Sequence, residues 1–232
     1  MKNIPVITID GPGGAGKGTI AQCIASALGF HILDSGSLYR LSALASLQAG
    51  VELIDEPALA DIALNLQVVF NSVNECEAGA RLQILLKDED VSEAIRSEKM
   101  GMRASKIAAM PAVREALLQR QRNFLIAPGL VADGRDMGTT VFPLAPLKIF
   151  LTASAEQRAQ RRYKQLKEKG INASIASLVA DMKARDEQDA NRAVSPLKPA
   201  EDAIVLDTTY MSIQVATQKV LELVEQRLQE LP

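Results

Sequence analysis

The stretch IPVITIDGPGGAGKGT, residues 4–19, decides the fold class. Its β-branched apolar beginning, residues 4–9, predicts a short buried strand. The glycine-rich segment 11–19 follows, and apolar residues then recur at helical spacing as far as Gly29, which is placed to end a helix. HILD at residues 31–34 predicts a second strand. A strand, a glycine loop, a helix and a strand in this order form a βαβ unit, and such units pack into parallel sheets.

The rest of the chain continues the α/β alternation. Short apolar runs predict further core strands, at residues 130–133, 148–151 and 203–207. Amphipathic patterns predict helices, at residues 37–49, 56–65, 92–110, 112–123, 155–169, 175–191 and 213–231. The pattern contains no internal repeat and no long linker, so we predict one α/β domain with a parallel sheet flanked by helices.

One segment interrupts this alternation. In residues 81–86, Leu82, Ile84 and Leu86 alternate with polar residues, which is typical of an antiparallel strand with one wet face. Together with residues 66–70, this segment predicts a small antiparallel sheet inserted into the parallel core.

Composition excludes several classes of protein. The chain has 232 residues, 26 basic and 28 acidic, with 47% hydrophobic and 23% charged residues, the balance of a globular protein and not of a disordered or collagenous one. The acidic pI of about 5.6 argues against a protein that coats nucleic acid. No transmembrane segment or signal peptide is evident, so we expect a cytoplasmic protein.

The cysteines and the histidine do not form a metal-binding pattern. Cys23 and Cys76 lie far apart, and His31 is the single histidine, which argues against a zinc cluster. We expect both cysteines to be small, reduced, partly buried residues.

The glycine loop carries the chemistry. Gly11-x-x-x-x-Gly16-Lys17 between a strand and a helix is the context of a phosphate-binding loop. Glycines let backbone N–H groups turn toward phosphate oxygens, the helix N-terminus adds partial positive charge, and the lysine reaches the β and γ phosphates. The general pattern places Ser or Thr directly after the lysine, but here Gly18 follows and the hydroxyl comes at Thr19.

This variant loop is the first of four ordered motifs. GPGGAGKGT (11–19), DSGSLYR (34–40), ADGRDMGTTVFP (132–143) and RDEQDANRAVSP (185–196) together resemble the signatures of the bacterial cytidylate kinase family, over residues 7–207 or so. Three positions depart from the usual pattern: Gly13 stands where the family usually has Ser, and Gln188 and Ala190 lie in a helix that is often more basic.

The resemblance implies a P-loop kinase: an α/β fold with a central parallel sheet flanked by helices, a small inserted antiparallel sheet and a helical lid. It implies one kinase domain over residues 1–232. Its parts would be a core at about 1–39, 100–153 and 193–232, an acceptor-binding region at about 40–65, an inserted sheet at about 66–99 and a lid at about 154–192. The implied reaction moves the γ-phosphoryl group of ATP to CMP or dCMP with Mg²⁺, in a monomer that binds neither nucleic acid nor membrane.

The same resemblance assigns roles to individual residues. Those at ATP are Gly11, Pro12, Gly13, Gly14, Ala15, Gly16, Lys17, Gly18, Thr19, Arg158 and Arg162. Those at the acceptor are Ser35, Arg40, Ser105, Arg114, Asp133, Arg135, Asp136, Arg185, Asp189 and Arg192. The catalytic side chains are Lys17, Arg158, Arg185 and Arg192, and Asp133 holds the metal through water. Base recognition falls to Asp136, Arg114 and Ser105.

Physical chemistry explains why so many arginines are needed. Two highly charged anions must be held together, and the planar fork of arginine binds phosphate bidentately. By helical geometry Arg158 and Arg162 share a face, as do Arg185, Asp189 and Arg192. Taken one at a time, these arginines also fit solvated surface charges, and Arg114 with Asp136 also fits a structural ion pair.

Other functions remain open from the sequence. A different small-substrate kinase, acting on shikimate, gluconate or AMP, would share the loop. A GTP-binding switch usually carries an Asn-Lys-x-Asp motif, which the sequence lacks. A P-loop DNA-binding ATPase is disfavoured by the acidic pI, and because Gly134 rather than Glu follows Asp133.

Overall fold

The structure, a computed structural model, describes residues 4–71 and 83–229. In chain order its strands are β1 (Val6–Asp10), β2 (His31–Asp34), β3 (Val68–Asn71), β4 (Gln83–Leu86), β5 (Glu89–Asp90), β6 (Leu130–Gly134), β7 (Leu147–Thr152) and β8 (Ile204–Asp207). Its helices are α1 (Lys17–Leu28), α2 (Ser35–Gln48), α3 (Glu56–Leu64), α4 (Glu98–Ile107), α5 (Pro111–Arg122), α6 (Ala155–Glu168), α7 (Ile175–Ala190) and α8 (Ile213–Gln229).

A parallel sheet with the strand order β2-β6-β1-β7-β8 forms the centre of the fold. In its register Ile9 pairs with Asp133, and Asp133 with Asp34, so three neighbouring strands end at one edge. Ligands in open α/β sheets bind outside the carboxyl ends of the strands, and this edge therefore positions the candidate site. The predicted parallel α/β fold is confirmed.

Helices bury both faces of this sheet. Along β6, Leu130 and Ala132 join the core formed with α2 to α5, whereas Val131 joins the core formed with α1 and α8. This alternation follows from the two-residue side-chain period of a strand, and burial on both faces requires the continuous apolar run. A third, small cluster of Ala159, Leu166 and Leu178 lies between α6 and α7.

The inserted sheet is also confirmed, as β3, β4 and β5 in antiparallel order. The predicted residues 81 and 82 lie outside the described residues. The prediction of one helix over residues 92–110 is wrong at its beginning, because Ser92 instead donates to Asp90 and accepts from the Ile84 N–H. The helix begins at Glu98, where the Ser97 hydroxyl accepts from the Met100 N–H as a cap.

The prediction of a reduced thiol is wrong for Cys23, which is half-buried on α1 and disulfide-bonded. Cys76 lies outside the described residues. Within the described ranges, no helix is long and apolar enough to cross a membrane.

Candidate active site

The phosphate-binding loop lies between β1 and α1. Gly11 has a φ of 146°, and a Cβ there would lie 1.9 Å from the Leu151 carbonyl oxygen, so only glycine fits. Lys17 is the first residue of α1, and its buried Nζ donates across the loop to the Pro12 carbonyl at 3.0 Å. Gly16 provides no side-chain cap, which leaves the first N–H groups of α1 for an anion.

Asp133 lies at the end of β6, beside this loop. Its Oδ1 lies 3.9 Å from Lys17 Nζ, and a Cβ on Gly18 would lie 3.3 Å from its Oδ2. Asp133 therefore occupies the space beside the start of α1, where a side chain at position 18 would point. Thr19, which carries the nearest hydroxyl after Lys17, is exposed. Burial raises the pKa of Asp133 to about 7, against the attraction of Lys17, and burial with the nearby Arg135 lowers the pKa of Lys17 to about 8.

A group of arginines faces the loop. A Cβ on Gly13 would lie 3.4 Å from Arg135 Nη2 and 3.7 Å from Arg185 Nη1. Burial, and to a smaller extent repulsion from Arg135 and Arg40, lowers the pKa of Arg185 to about 10. Among the described residues, the Nε atoms of Arg185 and Arg192 are buried without a hydrogen-bond partner. Buried cations that repel one another and have unused donors need an anion between them.

Asp189 organises part of this group. Its carboxylate accepts from Arg135 Nε at 2.9 Å, from Arg192 through a short ion pair, and from the Ser105 hydroxyl at 3.3 Å. Burial raises its pKa, but the attraction of Arg135 and Arg192 outweighs burial and the net pKa is lowered. Asp189 neutralises Arg135 and Arg192, whereas Arg185 forms no ion pair within the described residues and its buried Nε is unused. The site therefore favours a polyanionic ligand.

A second buried pair lies beyond the arginines. Arg114 on α5 forms a short ion pair with Asp136, and both side chains are almost completely buried. The Arg114 guanidinium also lies 5.9 Å from the centre of the Tyr39 ring and donates to the Ala108 carbonyl. Arginine and carboxylate together present donors and acceptors in one plane, the set of groups that reads the edge of a base.

Ser35 and Arg40, also predicted at the acceptor, bond to other protein groups. Ser35 donates to Gln121 Oε1 at 2.6 Å, and Arg40 donates to the Ile95 and Ser97 carbonyls. The fold therefore brings Ser105, Arg135, Asp189 and Arg192 into contact, whereas Ser35 and Arg40 are held by other protein groups.

Helix α6, predicted from the sequence to be part of a lid, contacts the loop. Arg158 donates to the Gly13 carbonyl at 2.8 Å and pairs with Asp186 on α7. Arg162 pairs with Glu98 on α4 at 2.7 Å, on a partly exposed surface. The two arginines share a face, as predicted, but only Arg158 reaches the loop.

Two of the positions that depart from the family's pattern lie away from the arginines. Gln188 and Ala190 are exposed on α7, whereas Asp189 between them is buried. Gly13 lies against Arg135 and Arg185, as described above.

Asp133 has the chemistry that a Mg²⁺ site requires. Magnesium is usually held by one or two carboxylates together with waters and substrate phosphates. Asp133 fits, because its carboxylate lies beside the loop and the cost of burying its negative charge is only partly offset by Lys17, 3.9 Å away. Asp10 fits less well, because both of its oxygens accept backbone N–H groups. Within the described residues no group of three His, Cys, Asp or Glu could hold a metal alone.

Sequence reasoning missed Asp186, Gln121 and Asp10. The first two are partners of Arg158 and Ser35 from distant parts of the chain, and no local pattern indicates such pairings. Arg161, also on α6, donates to the Thr208 and Met211 carbonyls.

Comparison with known proteins gives a consistent family. The family model described as cytidylate kinase matches residues 7–226. A cytidylate kinase of Stutzerimonas stutzeri (strain A1501) is 57% identical over 227 residues, which cover 98% of each chain. One of Aeromonas hydrophila is also 57% identical, over 97% of this chain and 95% of its own. One of Shewanella frigidimarina (strain NCIMB 400) is 55% identical, over 97% and 96%.

Proposed function

The chain belongs to the cytidylate kinase family, and on that premise we propose that it transfers the γ-phosphoryl group of ATP to CMP or dCMP, giving ADP and CDP or dCDP. The observation that carries this proposal is the arginine cluster between the phosphate-binding loop and the Arg114–Asp136 pair, in which the buried Nε atoms of Arg185 and Arg192 have no hydrogen-bond partner among the described residues. That arrangement suits two phosphorylated substrates, one at the loop and one with its base at the pair.

The loop side would bind ATP. Lys17 and the first N–H groups of α1 stand where the β and γ phosphates would lie, and Arg158 reaches the same loop through Gly13. Asp133 would hold Mg²⁺ through water, and the ion would supply charge neutralisation on the phosphates. Lys17 and Arg185 would stabilise the charge that develops as the phosphoryl group moves.

No protein base is needed for this transfer. A phosphate monoester has its second pKa near 6, so the acceptor phosphate is mostly a dianion at neutral pH and is itself the nucleophile. What the protein supplies is alignment and positive charge, which leads us to propose an in-line transfer. Arg40, Arg135, Arg185 and Arg192 would hold the acceptor phosphate, and their mutual repulsion would be relieved by it.

The acceptor base would be read by Arg114, Asp136 and Ser105. Cytosine offers an exocyclic amine to a carboxylate and ring acceptors to a guanidinium, whereas uracil offers a carbonyl where the amine stands. Because Ser105 also donates to Asp189, it links the base side to the phosphate arginines.

We further infer that the protein acts as a cytoplasmic monomer on small molecules, in pyrimidine nucleotide metabolism. A core at about 1–39, 100–153 and 193–232 would carry the acceptor-binding region at about 40–65, the inserted sheet at about 66–99 and the lid at about 154–192.

A coupled assay of ADP release over a panel of acceptors tests the proposal. With ATP and Mg²⁺, CMP and dCMP should give rapid turnover, and UMP, AMP, GMP, shikimate and gluconate should give much less. Preferred turnover with AMP or shikimate would overturn the proposed acceptor. Slow GTP hydrolysis that needs no acceptor would instead indicate a switch protein.

A further inference from the structure

Asp10 is the last residue of β1, directly before the phosphate-binding loop, and it is 5% exposed. Its two carboxylate oxygens accept from two consecutive backbone N–H groups, those of Met137 at 2.9 Å and Gly138 at 2.8 Å. Asp10 therefore holds the segment that follows Asp136, although the two aspartates are 126 residues apart in the chain.

That segment is an unusual turn. Residues Met137–Val141 form a single π-helical turn, and Asp136 stands at its N-terminal cap position. A π-helical turn is rare and often marks a functional site. An aspartate at a cap position ordinarily bends its carboxylate back to accept the first free N–H groups of its own helix. Asp136 makes no such bond, and it pairs with Arg114 instead.

Asp10 takes over the capping that Asp136 does not perform. The first two N–H groups of the turn are satisfied from β1, so the Asp136 carboxylate is free to turn toward the base side of the site. The close fit of the turn on β1 supports this, because a Cβ on Gly138 would lie 2.9 Å from Thr8 Oγ1.

We propose that Asp10 is a positioning residue for base selectivity: by capping the Met137–Val141 turn from β1, it frees the Asp136 carboxylate to read the acceptor base. This inference rests on the proposed function, in which Asp136 reads that base.

The test is the ratio of kcat/KM for CMP to that for UMP, measured by ADP release. Two substrates compared on one preparation give a ratio that does not depend on the fraction of protein that is folded. In Asp10→Asn the side chain keeps its shape, but one acceptor oxygen becomes a donor facing an N–H group. We expect the CMP-to-UMP ratio to fall about tenfold, with the KM for ATP unchanged. A merely structural role for Asp10 predicts a lower Tm with the ratio preserved, and a preserved ratio would overturn the proposal.

Two further variants complete the design. Thr8→Val is the matched control, because it alters the same strand beside Gly138, removes a buried hydroxyl without a partner in the described residues, and leaves the caps in place. Its ratio should equal that of the wild type. In the double variant of Asp10→Asn with Asp136→Asn, the ratio should fall no further than in Asp136→Asn alone, since both changes act through one carboxylate. A further independent fall would contradict the mechanism.

The wild-type ratio separates this proposal from the one on which it rests. A wild-type protein without preference for CMP means that the proposed function has failed. A wild-type preference that survives in Asp10→Asn means that only the positioning role has failed. If Asp10→Asn yields too little folded protein, Asp10→Ser, which retains an acceptor oxygen in a smaller side chain, is read by the same ratio.

Discussion

Arg114 and Asp136 form an ion pair whose side chains are only 8% and 4% exposed. Two charges removed from water are costly, and a buried pair is often no more stable than apolar residues of the same size. Stability alone is thus a weak reason for this pair. Two charged side chains that exchange their mutual bond for bonds to a nucleotide base would serve ligand recognition, and recognition of the acceptor base is the role we propose for Arg114 and Asp136.

Lys17 provides the first prediction. Lys17→Ala should lower kcat by about 10²–10³, because a cation directed at developing charge contributes about that much to the rate. Lys148→Ala is the matched control, since Lys148 is also a buried lysine but donates to Pro143 and Asp202 away from the loop. Turnover per folded molecule should be lost in the first variant and retained in the second. Near-normal turnover of Lys17→Ala would rule out the phosphate-loop assignment.

Arg185 should lower the stability of the ligand-free protein and raise its activity. Its side chain is half-buried, with a buried Nε, and is repelled by Arg135 and Arg40. Arg185→Met should therefore stabilise the ligand-free protein, by about 1–3 kcal/mol, while kcat/KM falls strongly. Arg103→Met is the control, because Arg103 is half-buried outside the site and donates to Ser46 and Val51, and its loss should lower stability. Urea unfolding without nucleotide distinguishes the two. If the ligand-free Arg185→Met protein is less stable than the wild type, the claim that Arg185 destabilises the protein until an anion binds is wrong.

The lid should respond to nucleotide. Helix α6 and residues 170–174 should exchange backbone hydrogen more slowly when ATP and CMP bind together, because closure excludes water from the transfer. Arg158 already contacts Gly13 without nucleotide, so the increase in protection should be smaller around Arg158 than in the later part of α6 and in residues 170–174. Hydrogen exchange followed by mass spectrometry measures this. Protection confined to other segments would show that the lid is assigned wrongly.

Asp10 makes stability depend on pH in an unusual direction. Burial raises its pKa from 3.8 to about 6, against the two backbone hydrogen bonds from Gly138 and Met137, with the Asp136 charge raising it and the Lys17 charge lowering it. A raised pKa means that the folded state binds more protons than the unfolded state between these values, so stability falls as pH rises. The stability of the wild type relative to Asp10→Asn should fall by about 2 kcal/mol from pH 4 to pH 7. Urea unfolding at both pH values measures this difference, and a constant difference would show that Asp10 is not perturbed.

The parallel core was predictable from the sequence because its signals are local. The apolar run of β1, the glycine loop and the helical spacing after it each lie within a few residues, and so do the four motifs that indicate the family. Helix starts were less predictable, since the cap at Ser97 competes with the bonds that Ser92 makes to the hairpin.

Apart from the Arg114–Asp136 ion pair, the pairings inside the site were not predictable. The spacing of Arg185 and Asp189 places them on one face, yet Asp189 binds Arg135, which is 54 residues away. Such a contact depends on the order of strands in the sheet and on how α7 packs against α4 and α6. Asp10 was missed for the same reason, because a single aspartate at the end of a strand carries no signal for the turn that it caps.

The CMP-to-UMP ratio of kcat/KM in Asp136→Asn, measured together with Tm, tests most directly the claim that the buried pair reads the base. The substitution keeps the shape and removes the charge, and its amide can present either face to the base. We predict that CMP-over-UMP discrimination falls by about 1–3 kcal/mol while Tm changes little. A preserved ratio with a clearly lowered Tm would show instead that Arg114 and Asp136 form only a structural ion pair.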